Sequence, residues 1–241
     1  MVSNYRGRGL APGAACHNRK RMKLIHLGTV FFVVEYLGVV AGALSGGLSA
    51  IRNTRYKYDL VGVYVLALVT AMGGGITRDV IIQNGPPLAF QHPSYILIAL
   101  GGATVAALFE HRMGPGMDRA IDLSDAAALG FFAIAGTTRA LHAGLTVLPG
   151  ILLGLVTAVG GGSLRDVLSG RTPRVFERGQ FYAIAALFGS ATFLLSDALG
   201  YSRTTSTVIG TVSCFLLRTL SIRYNWRTTP IRSAREEESN L

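Results

Sequence analysis

Apolar residues fill long runs of this chain, and short polar stretches interrupt the runs at regular intervals. Seven segments of 15 to 24 residues stand out, at 27–50, 60–77, 95–109, 124–142, 145–164, 180–196 and 204–222. Each is close to the roughly 20 residues a helix needs to cross about 30 Å of hydrocarbon. Stretches such as FFVVEYLGVVAGAL and YAIAALFGSATFLL show no alternation of period two, which excludes the strands of a transmembrane barrel. The pattern predicts an all-α membrane protein with seven transmembrane helices. Residues 1–22 and 228–241 lack apolar periodicity and are predicted to be mobile tails.

The pattern also repeats. At an offset of 87, Leu66 to Ile81 and Leu153 to Leu168 agree at eleven of sixteen positions, including the run Thr-Ala-x-Gly-Gly-Gly-x-x-Arg-Asp-Val. At an offset of 90, Glu35 lies over Asp125 and Gly46 over Gly136. An internal duplication of this kind makes two units, residues 23–112 and 113–199, with helix 7 in 200–227. Three helices per unit force the second unit to enter the membrane from the opposite side, so helices 1–3 and 4–6 form an inverted repeat.

Composition supports a bilayer setting: half of the 241 residues are apolar and 15% are charged. The net charge of +10 sits in the tails and short loops rather than on one soluble face, so anionic lipid headgroups are the expected partners and nucleic acid is not. Nine Lys and Arg fall on the N-terminal side of the membrane and fourteen on the other, which predicts N-terminus outside and C-terminus cytoplasmic; Arg19, Lys20, Arg21 and Lys23 oppose that assignment. The start of the chain resembles a secretory signal, but its apolar stretch is too long for one and carries Glu35, so it is read as the first helix. Two cysteines and five scattered histidines form neither a disulfide framework nor a metal set. The sequence GGGITRD lacks the Lys-Ser/Thr ending of a phosphate-binding loop. No enzyme chemistry and no cofactor are expected.

The candidate chemistry lies in the repeated motif. Three adjacent glycines weaken a helix interior by roughly 1 kcal/mol each relative to alanine. Gly73, Gly74, Gly75 and Gly160, Gly161, Gly162 therefore either let helices 2 and 5 unwind or kink, or admit a neighbouring backbone. Close packing of small residues usually spaces them four apart, so adjacent glycines favour broken helices, whose freed groups would line an ion or substrate path near the midplane. Arg78 and Asp79 leave a helix about 100° apart. On that ground Arg78 is expected to reach Asp166, and Arg165 to reach Asp79, across the repeat; the alternative is that both pairs anchor helix ends at the headgroups. Glu35 and Asp125 are read as pore-mouth carboxylates or as interfacial caps, Asp125 following Ser124 near an expected helix start. In a channel, glycine carbonyls with the hydroxyls of Thr70 and Thr157 would replace ion hydration. In a carrier for a small amino acid such as glycine, half-helix N-termini would face the carboxylate.

On these residues the chain resembles the bacterial branch of the trimeric intracellular cation (TRIC) channel family, whose members also bear the name of glycine-transporter-domain proteins. The resemblance spans about residues 27–226: two GGGxxRD units, an acidic residue eleven positions before a glycine in helices 1 and 4, and the ending IRYNW. It implies a homotrimer in the cell membrane, with one hourglass pore per protomer lined by helices 1, 2, 4 and 5. That pore would be kinked at the two triplets and permeable to K⁺ or Na⁺. In that family a basic residue after the helix-4 glycine is linked to voltage-dependent block, and Arg139 occupies that place. Its alternative is interfacial snorkelling.

Overall fold

The computed structural model describes residues 12–113, 116–177 and 181–226, with side chains described from residue 29 onward and not at 110–113. Eight helices, and no strand, make up the regular structure of the described residues: α1 Pro12–Ile51, α2 Leu60–Ile82, α3 Leu88–Gln91, α4 Ser94–Met113, α5 Met117–His142, α6 Val147–Leu168, α7 Tyr182–Ala198 and α8 Arg203–Arg223. Five of them contain stretches long and apolar enough to cross a membrane, starting with Thr29–Ile51 in α1, and Ser94–Phe109 and Tyr182–Ala198 are shorter apolar helices. The seven predicted segments thus fall on α1, α2, α4, α5, α6, α7 and α8. The four-residue α3 was not foreseen.

Two boundaries differ from expectation. α1 begins at Pro12, so residues 12–22, grouped above with the N-terminal tail, are helical; a proline at the first helical position suits such a start. α5 begins at Met117 rather than near Ser124. Ser124 then lies inside the helix, and its Oγ donates back to the Ala120 carbonyl at 2.7 Å. Residues 1–11 and the expected C-terminal tail 228–241 lie outside the described residues.

Local chemistry sets the other ends. Asp59 caps α2, its Oδ1 accepting from Gly62 N at 2.8 Å, and Ser202 caps α8, accepting from Thr205 N at 3.1 Å. Gly170, at φ +64°, turns the chain out of α6 in the left-handed conformation that favours glycine.

α5 is the hub, packed against α1, α6, α7 and α8, and about two-thirds of its span is buried. Helices approach closely where small residues allow it: a Cβ on Gly42 would stand 3.0 Å from the Ala71 backbone, and one on Gly102 would stand 2.7 Å from Ala43 Cβ. The outward faces carry Leu97, Leu108, Leu148 and Leu195, each more than 60% exposed, an apolar surface suited to lipid and not to water.

Candidate functional site: two ion clusters flanking a glycine crossing

α2 and α6 run uninterrupted through their glycine triplets, so the expected break in each helix is corrected. The glycines serve contact instead. A Cβ on Gly74 would overlap the Thr157 carbonyl oxygen, and one on Gly161 would overlap that of Thr70. A Cβ on Gly160 would lie 3.0 Å from Gly74 Cα. The helices meet backbone to backbone, an approach that only glycine allows at 74 and 161. The pairing of 70 with 161 and of 74 with 157 makes the two helices antiparallel. Arg78 and Arg165, each four residues beyond its central glycine, therefore lie at opposite ends of the crossing.

The threonines sit just before the triplets and face inward. Thr70 Oγ1 donates to Leu66 O and Thr157 Oγ1 to Leu153 O, both at 2.6 Å. Each packs on the glycine one helix away: a Cβ on Gly46 would stand 2.5 Å from Thr70 Oγ1, and one on Gly136 would stand 2.5 Å from Thr157 Oγ1. Their hydroxyl protons are committed to their own helices. The glycine carbonyls, in turn, belong to intact helices and are not released by any break.

At the first end, Arg78 donates through Nη1 to Glu35 on α1 and through Nε to Asp79 Oδ1 at 2.8 Å. Glu35 also accepts from Tyr95 on α4, and Asp79 Oδ2 accepts from Leu88 N at 2.9 Å, which explains the short α3. The Arg78 side chain is 1% exposed. A cavity of about 20 Å³, room for about one water, touches Glu35, Gly75, Arg78, Asp79 and Tyr95. Arg139, in the last turn of α5, brings its Nε to 4.0 Å from Asp79 Oδ1 and is 25% exposed.

The second end repeats this arrangement. Arg165 Nε donates to Asp166 Oδ1 at 2.9 Å, and Nη1 donates to Asp125 Oδ1 at 3.1 Å and to Ser45 Oγ at 2.9 Å. Asp166 Oδ2 accepts from Arg174 N at 3.3 Å, as Asp79 accepts from Leu88. Arg174 Nη1 reaches Asp122 at 3.1 Å and Asp125 at 3.5 Å. Burial works against the Arg174 charge, but Asp125 and Asp122 outweigh it and hold the guanidinium above its ordinary pKa. Tyr182 stands where Tyr95 stands in the first unit, its hydroxyl 3.0 Å from where a Cβ on Gly162 would be.

Two expectations fail here. The arginines pair within their own units, not across the repeat, because a long guanidinium side chain folds back along the helix and spans the 100° between neighbours. Glu35 and Asp125 cap nothing; both lie inside helices, buried against an arginine. A buried guanidinium held by two carboxylates is the arrangement that makes charge tolerable at this depth. Sequence reasoning missed Tyr95 and Tyr182, although they stand 87 apart, the offset of the triplets. Ser45, Arg174 and Arg218 had no repeat signal to reveal them.

Comparison with known proteins bears on this geometry. The profile of a family described as glycine transporter matches twice, at residues 32–111 and 122–198. A UPF0126 membrane protein of Deinococcus radiodurans is 36% identical over 201 residues, spanning 83% of this chain and 90% of that protein. One from Streptomyces coelicolor is 42% identical over 194 residues, spanning 79% and 86%. Among solved structures, the TRIC trimeric intracellular cation channel orthologue from Rhodobacter sphaeroides is 33% identical with a TM-score of 0.75, covering 81% of this chain and 98% of that one. A prokaryotic TRIC channel is 28% identical with a TM-score of 0.74, covering 81% and 97%.

Proposed function

This chain belongs to the glycine-transporter family of membrane proteins and is similar to UPF0126 membrane proteins and to TRIC channels of solved structure, and on that premise we propose that it is a monovalent cation channel. The observation that carries the reading is the pair of buried ion clusters at opposite ends of a single glycine crossing. The two units are related as an inverted repeat, so each end offers an arginine, two carboxylates and a tyrosine to an ion entering from that side. The crossing at Gly74 and Gly161 is the constriction, and K⁺ or Na⁺ passes when α2 and α6 separate there. Each protomer of a homotrimer carries one such path. The N-terminus faces outward and the C-terminus the cytoplasm.

The carboxylates do what freed glycine carbonyls do in other pores: they compensate the ion for lost water. Arg139, with no hydrogen-bond partner at Nε and Asp79 4.0 Å away, adds a positive barrier at the first mouth. A guanidinium at that place, one-quarter exposed, is free to swing with voltage.

The family's description favours a second reading, a carrier for a small amino acid. That scheme uses half-helix N-termini to hold a carboxylate, and continuous α2 and α6 offer none. Reconstitution of the purified protein decides between them. Unitary currents in symmetric KCl are the expected result. Saturable exchange of labelled glycine without unitary currents would replace the channel reading with the carrier.

A further inference from the structure

Arg218 lies on α8, outside both repeated units, and is 3% exposed. Arg78 and Arg165, equally buried, each hold two carboxylates. Arg218 holds none: its Nε and Nη1 are buried without a hydrogen-bond partner among the described residues. What it has is the face of Tyr182, with Cζ 4.9 Å from the ring centroid. The same ring points its hydroxyl toward Gly162 of the second triplet. Arg165 Nη2 and Asp125 Oδ1 lie 3.7 and 3.8 Å from the Cβ position of Gly162, so one aromatic ring separates Arg218 from the second cluster. Asp125 Oδ2 is weakly held, Arg174 at 3.5 Å being its one hydrogen-bond partner among the described residues.

The first cluster receives a comparable cation from outside its own unit: Arg139 of α5, set beside Asp79 and likewise unpartnered at Nε. Each end of the crossing is thus given a positive charge from outside its own unit. A membrane-buried guanidinium without a carboxylate is costly and does not repay that cost in packing, so its charge is the property to explain.

We infer that Arg218 sets the electrostatic barrier to cations at the second mouth, as the counterpart of Arg139 at the first. This rests on the channel reading. The residue acts through the field it places across the Tyr182 ring on Asp125, lowering the cation occupancy that carboxylate would otherwise hold.

Single-channel recording of the full chain in symmetric KCl tests it, comparing the parent with Arg218→Met, Arg218→Gln, Arg218→Lys and Arg139→Gln. Arg218→Met and Arg218→Gln should raise unitary conductance about twofold or more, since Asp122, Asp125 and Asp166 then face only Arg165 and Arg174 and focus cations more strongly. Their current–voltage curves should rectify in the sense opposite to Arg139→Gln, because the two charges lie at opposite ends. Arg218→Lys keeps the charge and should behave as the parent. The melting temperature of Arg218→Met should equal or exceed the parent's, because an unpaired buried charge is removed. A lower melting temperature with unchanged conductance and rectification would overturn the inference and leave Arg218 a packing residue, as would failure of both neutral variants to assemble. A silent parent sinks the channel reading and this inference with it; a conducting parent beside unchanged neutral variants sinks the inference alone.

Discussion

Gly74 and Gly161 leave no room for a methyl group, whereas Gly75, in the same triplet, has only Arg78 Nη2 near its Cβ position, at 3.9 Å. The first two face backbone, which cannot step aside; the third faces the end of a side chain. Gly74→Ala and Gly161→Ala are therefore expected to cost about 1–3 kcal/mol through overpacking, while Gly75→Ala stays near neutral. Thermal unfolding in detergent distinguishes them, and equal losses at all three positions would mean that the crossing does not depend on contact at 74 and 161. Charge pairing makes a second residue-scale prediction. Arg78 and Glu35 share a buried bond, so alanine substitutions at the two should couple by about 0.5–3 kcal/mol in a double-mutant cycle of stability. Arg78 and Asp166 belong to different clusters and should add.

At the scale of elements, α2 and α6 behave as two rods touching at one point rather than as four half-helices. Their approach is close enough to lock. A Cβ on Gly73 would lie 3.9 Å from Leu164 Cβ, inside the separation a disulfide spans. The double variant Gly73→Cys, Leu164→Cys should form that bond under oxidation and fix the crossing shut. Currents should disappear with oxidant and return with reductant, with each single variant insensitive. Persistent current through the oxidised, mass-verified species would show that ions do not pass between these helices. α8 contributes differently: it packs on α5 and α7, closes the second unit's side, and carries Arg218 inward.

For the whole molecule, the duplication supplies a similar ion cluster at both ends, and the extra residues make the ends unequal: Arg139 beside Asp79 at one, Arg174 beside Asp125 and Arg218 beside Tyr182 at the other. If ions pass the crossing as proposed, unequal ends should make the current rectify. Assembly is the remaining prediction at this scale. Native mass measurement in detergent should give three times the chain mass of 25.6 kDa, and a stable monomer that conducts would remove the trimer from the mechanism.

The sequence alone determined the helical class, the near positions of seven apolar segments and the duplicated motif, because hydrophobic length and self-similarity are local properties that a lipid solvent enforces directly. It also identified the charged members that the repeat or the apolar runs single out, Glu35, Arg78, Asp79, Asp125, Arg139, Arg165 and Asp166, since a buried charge in a membrane stands out against its neighbours, but not Asp122, Arg174 or Arg218. Tertiary structure decided what those residues do. Three adjacent glycines are equally suited to a broken helix and to a backbone contact, and only the arrival of a second helix at Thr70 and Thr157 chose the contact. The sequence assigned Arg78 to Asp166; the depth of Glu35 on α1 and the fold-back of the arginine side chain gave it Glu35 and Asp79 instead. Arg218 lies on the one long helix outside the repeat, so no periodicity pointed to it. Its place beside Tyr182 exists only because α8 packs against α7.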